Sequence, residues 1–127
     1  MEKISIEGTS KTPTITFDAA KCIMEIKGRS TPENSTDFYR PLVDALKNFP
    51  EKKNEKITVN FQLEYFNTSS SKCILDILKT LGAMKKIGVE VVINWFYEED
   101  DDDMFESGEN YQQILKLPFN MIPFPAV

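Results

Sequence analysis

From Ile57 to Glu64 the chain alternates strictly: Ile57, Val59, Phe61 and Leu63 are apolar, and Thr58, Asn60, Gln62 and Glu64 are polar. That period belongs to a strand with one buried face. Tyr65 and Phe66 end the run, and a row of small polar residues follows, Asn67-Thr68-Ser69-Ser70-Ser71. Ile74, Ile77, Leu78, Leu81 and Met84 then recur at helical spacing as far as Gly88. Val89 to Tyr97 is a second run rich in β-branched and aromatic residues. The pattern predicts a β-α-β unit over 56–97 with its hydroxyl cluster at the start of the helix.

The flanks extend this unit. Upstream, Lys3 to Glu7 reads as a short strand and Gly8 to Lys11 as a turn. Pro13 to Asp18 and Cys22 to Gly28 read as the two arms of a hairpin. Arg29 to Asn34 is a loop by residue type. Asn34 or Ser35 can cap the helix that follows, with Asp37 suiting its dipole. Phe38, Leu42, Ala45, Leu46 and Phe49 share one face of it, and Pro41 falls within the first two turns, where a missing N–H costs least. Pro50 to Glu55 is a solvated turn. Downstream, the acidic run Glu98 to Asp103 reads as a loop feeding negative charge to a helix start. Met104 to Leu115 is a weaker helix, broken near Gly108. Pro118 to Phe124 is a short last strand whose prolines suit a sheet edge. The order β-β-β-α-β-α-β-α-β implies an α/β fold: a mixed, largely parallel sheet with an N-terminal antiparallel hairpin and covering helices. The 127 residues are expected to form one domain, 1–127.

Composition narrows the function. A net charge of −5 with scattered Lys and Arg argues against nucleic acid or an anionic membrane as the main partner. The first residues lack an apolar signal core, and no apolar run nears the ~20 residues that span a bilayer. A cytoplasmic protein is expected, with Cys22 and Cys73 as reduced thiols rather than a disulfide. The chain has no histidine. That removes Ser-His-Asp and Cys-His nucleophiles, the usual Cys/His zinc sites and histidine phosphorelay. No cofactor motif is visible. The acidic run lacks the alternating ligands and glycine of a calcium loop, so no metal is expected.

Attention therefore falls on the hydroxyl corner. In open α/β sheets, sites lie beyond the carboxyl ends of the strands, where Gly28 to Asn34, Asn67 to Ser71 and Tyr97 to Asp103 should meet. A helix N-terminus tolerates phosphate well, and phosphorylation would add roughly −1.5 to −2 charge there. Simple capping by Asn67 or Thr68 is the blander account, although five small polar residues exceed what one cap needs. The residues alone do not choose among Thr68, Ser69, Ser70 and Ser71. Two other readings compete with a phosphorylation-controlled binding module. One is a small-ligand or nucleotide sensor at the same corner, unsupported by any glycine-rich phosphate loop. The other, ranked last, is a carboxylate enzyme using Glu33, Glu64 or the acidic run.

The strand, Asn67-Thr68-Ser69-Ser70 and amphipathic helix resemble the STAS, or anti-sigma-factor antagonist, fold. There the turn usually reads Asp-Ser-Ser/Thr-Gly, so Asn67 stands for the Asp, Thr68 for the modified Ser and Ser70 for the Gly. A fuller resemblance, nearly end to end, is to the SiaC family of bacterial regulatory phosphoproteins. It runs through Gly28-Arg29-Ser30-Thr31-Pro32-Glu33-Asn34, Phe38-Tyr39-Arg40-Pro41, Tyr65-Phe66-Asn67-Thr68-Ser69-Ser70-Ser71-Lys72, Trp95-Phe96-Tyr97, Gly108-Glu109 and Leu117-Pro118-Phe119. The resemblance implies a non-enzymatic partner switch with Thr68 as the phosphorylated residue, ahead of Ser69, Ser70 and Ser71. It implies a GHKL-type kinase, a PP2C-type phosphatase and an effector such as a diguanylate cyclase, bound by the unphosphorylated form. The partner surface is expected to comprise Glu33, Asn34, Tyr39, Asn67, Thr68, Ser69, Lys72 and Tyr97. For Tyr39, Tyr97 and the neighbouring Tyr65, half-buried rings with wet hydroxyls are the simpler account. No cofactor is implied.

Overall fold

The computed structural model describes residues 3–48 and 56–125. Nine elements follow in order: β1 (Lys3–Ile6), β2 (Thr14–Asp18), β3 (Ile23–Ser30), α1 (Ser35–Lys47), β4 (Lys56–Phe66), α2 (Thr68–Lys86), β5 (Glu90–Glu98), α3 (Asp102–Leu115) and β6 (Phe119–Phe124). The strands lie side by side in chain order in one six-stranded sheet. β1, β2 and β3 pair antiparallel, whereas β3, β4, β5 and β6 pair parallel. Successive parallel strands that advance in one direction by right-handed crossovers place every crossover helix on the same side. α2 accordingly packs between α1 and α3.

The core lies between this helix layer and one face of the sheet. Ile15, Phe17, Met24, Ile26, Ile57, Val59 and Phe61 are all at most 1 % exposed, and they meet Leu42, Leu46, Ile74, Ile77, Leu78 and Leu81 from the helices. The opposite face carries the polar members of the same alternation. In its middle row, Asn94 Nδ2 donates to Asn60 Oδ1 at 2.8 Å and Asn120 Nδ2 donates to Asn94 Oδ1 at 2.9 Å. These bonds tie β4, β5 and β6 together at the in-register positions Asn60, Asn94 and Asn120.

Several boundaries differ from the sequence reading. β3 runs on through Arg29 and Ser30, expected in a loop, because β4 carries one extra residue at Glu64. Gly28 pairs with Leu63, and Arg29 then pairs with Tyr65 and Ser30 with Phe66. The bulge carries Tyr65 out of the core, where it is 48 % exposed, with the Arg29 guanidinium 5.4 Å from its ring centroid. Thr68 to Ser71 form the first turn of α2, where the sequence places the hydroxyl cluster, and Asn67 alone is the link. At its far end α2 closes as expected at Gly88, in a left-handed conformation (φ 104°). There Val89 N–H reaches Met84 O and Gly88 N–H reaches Lys85 O. Phe49 and the expected turn Pro50 to Glu55 lie outside the described residues.

α3 is unbroken at Gly108, contrary to the expected interruption. A Cβ built there would stand 2.7 Å from Trp95 Cδ1 and 2.8 Å from Met121 Cε. The glycine is present because the helix backbone rests on the Trp95 ring, and close packing repays its poor helix propensity. Gly108→Ala should therefore overpack this contact and destabilise the fold by about 1–3 kcal/mol, read as a lower urea midpoint. An unchanged or raised midpoint would mean that the ring can yield.

Candidate functional site

At the carboxyl end of the parallel strands, the N-termini of α1 and α2 converge. Asn34 caps α1, its Oδ1 accepting from Asp37 N–H at 3.1 Å and its Nδ2 donating to Asp37 Oδ2 at 2.9 Å. Asn67 caps α2, its Oδ1 accepting from Ser70 N–H at 2.9 Å and from Ser69 Oγ at 3.2 Å. The Asn67 N–H donates to Ser30 O at 3.0 Å, which fastens the end of β3 to the start of α2.

Beneath these caps runs a chain of hydroxyls. Ser70 Oγ donates to Ser30 O at 3.0 Å, and Ser30 Oγ donates to Ser70 Oγ at 2.9 Å. Each serine has one proton to give, so Tyr39 OH, 2.5 Å from Ser30 Oγ, is the donor of that bond. Ser35 Oγ lies 2.8 Å from Ser69 Oγ and 3.2 Å from Ser70 Oγ; both of these donate elsewhere, so the single Ser35 proton is shared between them, closer to Ser69. No buried side-chain nitrogen or oxygen among the described residues lacks a partner. The network locks β3, α1 and α2 into one rigid corner.

This arrangement sorts the four candidate hydroxyls. Ser70 is fully buried, and Ser69 is exposed but has its Oγ held between Asn67 and Ser35. Ser71 Oγ donates to Thr68 O at 2.6 Å. Thr68 is exposed, and no hydrogen bond to its hydroxyl is found among the described residues. Lys72 is exposed four residues on, the spacing that puts two side chains on one helix face. Glu33 is exposed beside the α1 cap.

Tyr39 has to be corrected. It is 1 % exposed, with its ring edge-on to Phe38 at 5.0 Å and its hydroxyl inside the serine chain, so its side chain is not part of a docking surface. Tyr97 is half-buried and packs on Phe105 at 5.2 Å, which makes it an anchor for α3; no hydrogen bond or ring contact joins it to the Thr68 corner among the described residues. Ser30 and Ser35, not singled out from sequence as site residues, prove to be the centre of the network.

Electrostatically, α2 differs from its neighbours. α1 has Asp37 in its first turn and α3 has Asp102 and Asp103 behind the cap Asp101, but the first turn of α2 holds no acidic residue. Its free N–H groups and positive dipole end face solvent beside Thr68. The nearby cleft between α1 and α2 measures about 180 Å³, small for a ligand pocket, and no group of three or more His, Cys, Asp or Glu side chains suited to a metal is found among the described residues. Cys73 is a buried free thiol, and no described helix is long and apolar enough to cross a membrane.

The buried tyrosines give the corner a pH signature. Burial pushes Tyr39 up to about 12, and does the same to Tyr111, whose hydroxyl donates to Ser71 O at 2.9 Å. In the unfolded chain these phenols ionise near 10, so the unfolded state loses protons first. Stability should be full below pH 10 and fall as pH rises towards 12. Urea midpoints measured across that range should show the fall, and Tyr39→Phe should make it shallower. An equally steep fall in that variant would remove Tyr39 from the account.

Comparison with known proteins gives a consistent result. The family model described as SiaC family regulatory phosphoprotein matches residues 6–124. An uncharacterised protein of Pseudomonas aeruginosa (strain UCBPP-PA14) is 29% identical over 119 residues, covering 94% of each chain. The crystal structure of apo-SiaC from Pseudomonas aeruginosa superposes with a TM-score of 0.87 at 30% identity, over 96% of this chain and 99% of that one. A chain in the crystal structure of the diguanylate cyclase SiaD in complex with its activator SiaC, from the same organism, matches with a TM-score of 0.87 at 27% identity, over 95% of this chain and 99% of that one.

Proposed function

Because the chain belongs to the SiaC family of regulatory phosphoproteins, we propose that it is a non-enzymatic partner switch whose single control point is the Thr68 hydroxyl. In this reading 1–127 is one regulatory domain. A GHKL-type kinase phosphorylates Thr68, a PP2C-type phosphatase reverses the step, and the unphosphorylated form binds and regulates a diguanylate cyclase. The solved relative in complex with the cyclase SiaD supports the effector class. The observation that carries the reading is the exposed Thr68 hydroxyl at the one described helix whose first turn has no acid. A phosphate there meets unpaired N–H groups and the positive end of a dipole, so the fold tolerates it without rearrangement.

Asn67, Ser69 and Lys72, with Glu33 and Asn34 across the corner, form the rim that a partner touches. Unmodified, that rim is neutral apart from Glu33 and Lys72. Once phosphorylated it presents a near-dianion to whatever docks there. Co-elution with the cyclase tests the switch: Thr68→Ala should be retained with it and Thr68→Asp released. Should Thr68→Asp co-elute as fully as the unmodified chain, added charge at this residue does not govern docking.

A further inference from the structure

A second surface lies at the other end of α2. Between the C-terminal ends of α2 and α3 is a groove of about 610 Å³ whose accessible floor is Gly82, Ala83 and Leu115, lying over the buried Leu78 and Leu117, and whose rim is Lys79, Lys85, Lys86 and Lys116. No carboxylate lines it, although the chain as a whole carries a net charge of −5. Lys85 and Lys86 in the last turn of α2 complement that helix's dipole. The same account does not cover Lys79, two turns earlier, or Lys116, the left-handed cap of α3. No ion pair engages any of the four ammonium groups among the described residues. Ile87 and Ile114, next in sequence to groove residues, are 50 % and 65 % exposed, the highest values among the large apolar side chains described.

We propose that this groove docks an acidic amphipathic helix of a partner protein, with its apolar residues against Ala83 and Leu115 and its carboxylates against the lysine rim. Charge complementarity favours an acidic partner, and the concave apolar floor suits the ridge of a helix better than a bilayer surface. In the chain's own acidic run Glu98 ends β5, Glu99 and Asp100 form a turn, and Asp101 to Asp103 cap and open α3, so in a second copy this run offers no free helix of this kind. Lys85 lies 17 residues beyond Thr68, roughly 25 Å along the helix axis, so an occupant is separate from the switch and its binding does not depend on the Thr68 reading.

Fluorescence anisotropy of the full chain with a labelled helical peptide of about four turns, Leu on one face and Glu on its flanks, tests this. Saturable binding is expected, weakened about tenfold or more by Lys79→Glu/Lys86→Glu, with Thr68→Asp within about twofold of the unmodified chain. Circular dichroism checks that the variant folds, and the milder Lys79→Gln/Lys116→Gln should give an intermediate loss. The proposal is overturned by absence of saturable binding, by equal binding to the charge-reversed chain, or by equal binding of a scrambled peptide of the same composition. Co-sedimentation with phosphatidylserine vesicles without peptide binding would assign the surface to membranes instead.

Discussion

Phosphorylated on Thr68, the protein should bind the proposed diguanylate cyclase effector about a hundredfold more weakly than the unmodified chain, a change of about 3 kcal/mol. The size follows from where the charge goes. Thr68 is exposed on a corner made rigid by the hydroxyl chain from Tyr39 to Ser69, so the phosphate is not accommodated by movement of the backbone beneath it. It adds roughly −1.5 to −2 charge at a place where a docked partner would exclude water. A partner carboxylate then meets repulsion, and the phosphate itself must be desolvated without a new partner. The fold should not suffer, because the phosphate supplies the first-turn negative charge that α2 lacks. Isothermal titration of the phosphothreonine protein and the unmodified protein against the cyclase, with thermal melts alongside, measures both effects. Thr68→Ala, which removes one small exposed side chain, should stay within about threefold of the unmodified chain. Equal affinities for the two phosphorylation states would place the regulated surface elsewhere.

Trp95→Ala should remove about 3–5 kcal/mol of folding stability, a large share of the 5–15 kcal/mol typical of a domain. Trp95 is 1 % exposed and contacts the rings of Phe61, Tyr111 and Phe119 at centroid distances of 5.3, 5.8 and 5.9 Å. Its Nε1–H donates to Met104 O at 3.0 Å, holding the first turn of α3 to the sheet. Truncation leaves a cavity and removes the side-chain bond that ties the Met104 carbonyl to the sheet. Amide exchange in α3 should accelerate more than in β4, and the urea midpoint should drop with little change in slope. A loss under about 1 kcal/mol would mean that α3 is held by other contacts.

Much of this architecture can be read from residue order because the signals are periodic and local. The alternation from Ile57 to Leu63 and the spacing from Ile74 to Met84 each exceed several repeats, and α2 and its flanking strands appear where those periods place them. The misreadings come from single-residue events. One extra residue at Glu64 shifts the register, moves Tyr65 outward and lengthens β3, yet leaves the preceding alternation untouched. Gly108 looks like a helix breaker until the Trp95 ring, 13 positions away, is seen against its α-carbon. The expectation that Tyr39 belongs to a partner surface fails because it stands three residues before Leu42 and seven before Leu46, both at most 1 % exposed. The spacing, not the polar atom, decides its place. The hydroxyl cluster at the start of α2 was legible as a cluster. Its division into buried, tethered and exposed members was not, since Ser30 and Ser70 meet across 40 positions and nothing local predicts that pairing.

Mass-spectrometric phosphopeptide mapping of the protein purified from its native host tests the central claim most directly. The account predicts a single phosphate, on Thr68, that disappears on treatment with a PP2C-type phosphatase. Phosphate on Ser69 or Ser71 instead, or an unmodified chain that still exchanges its effector on and off, would contradict it.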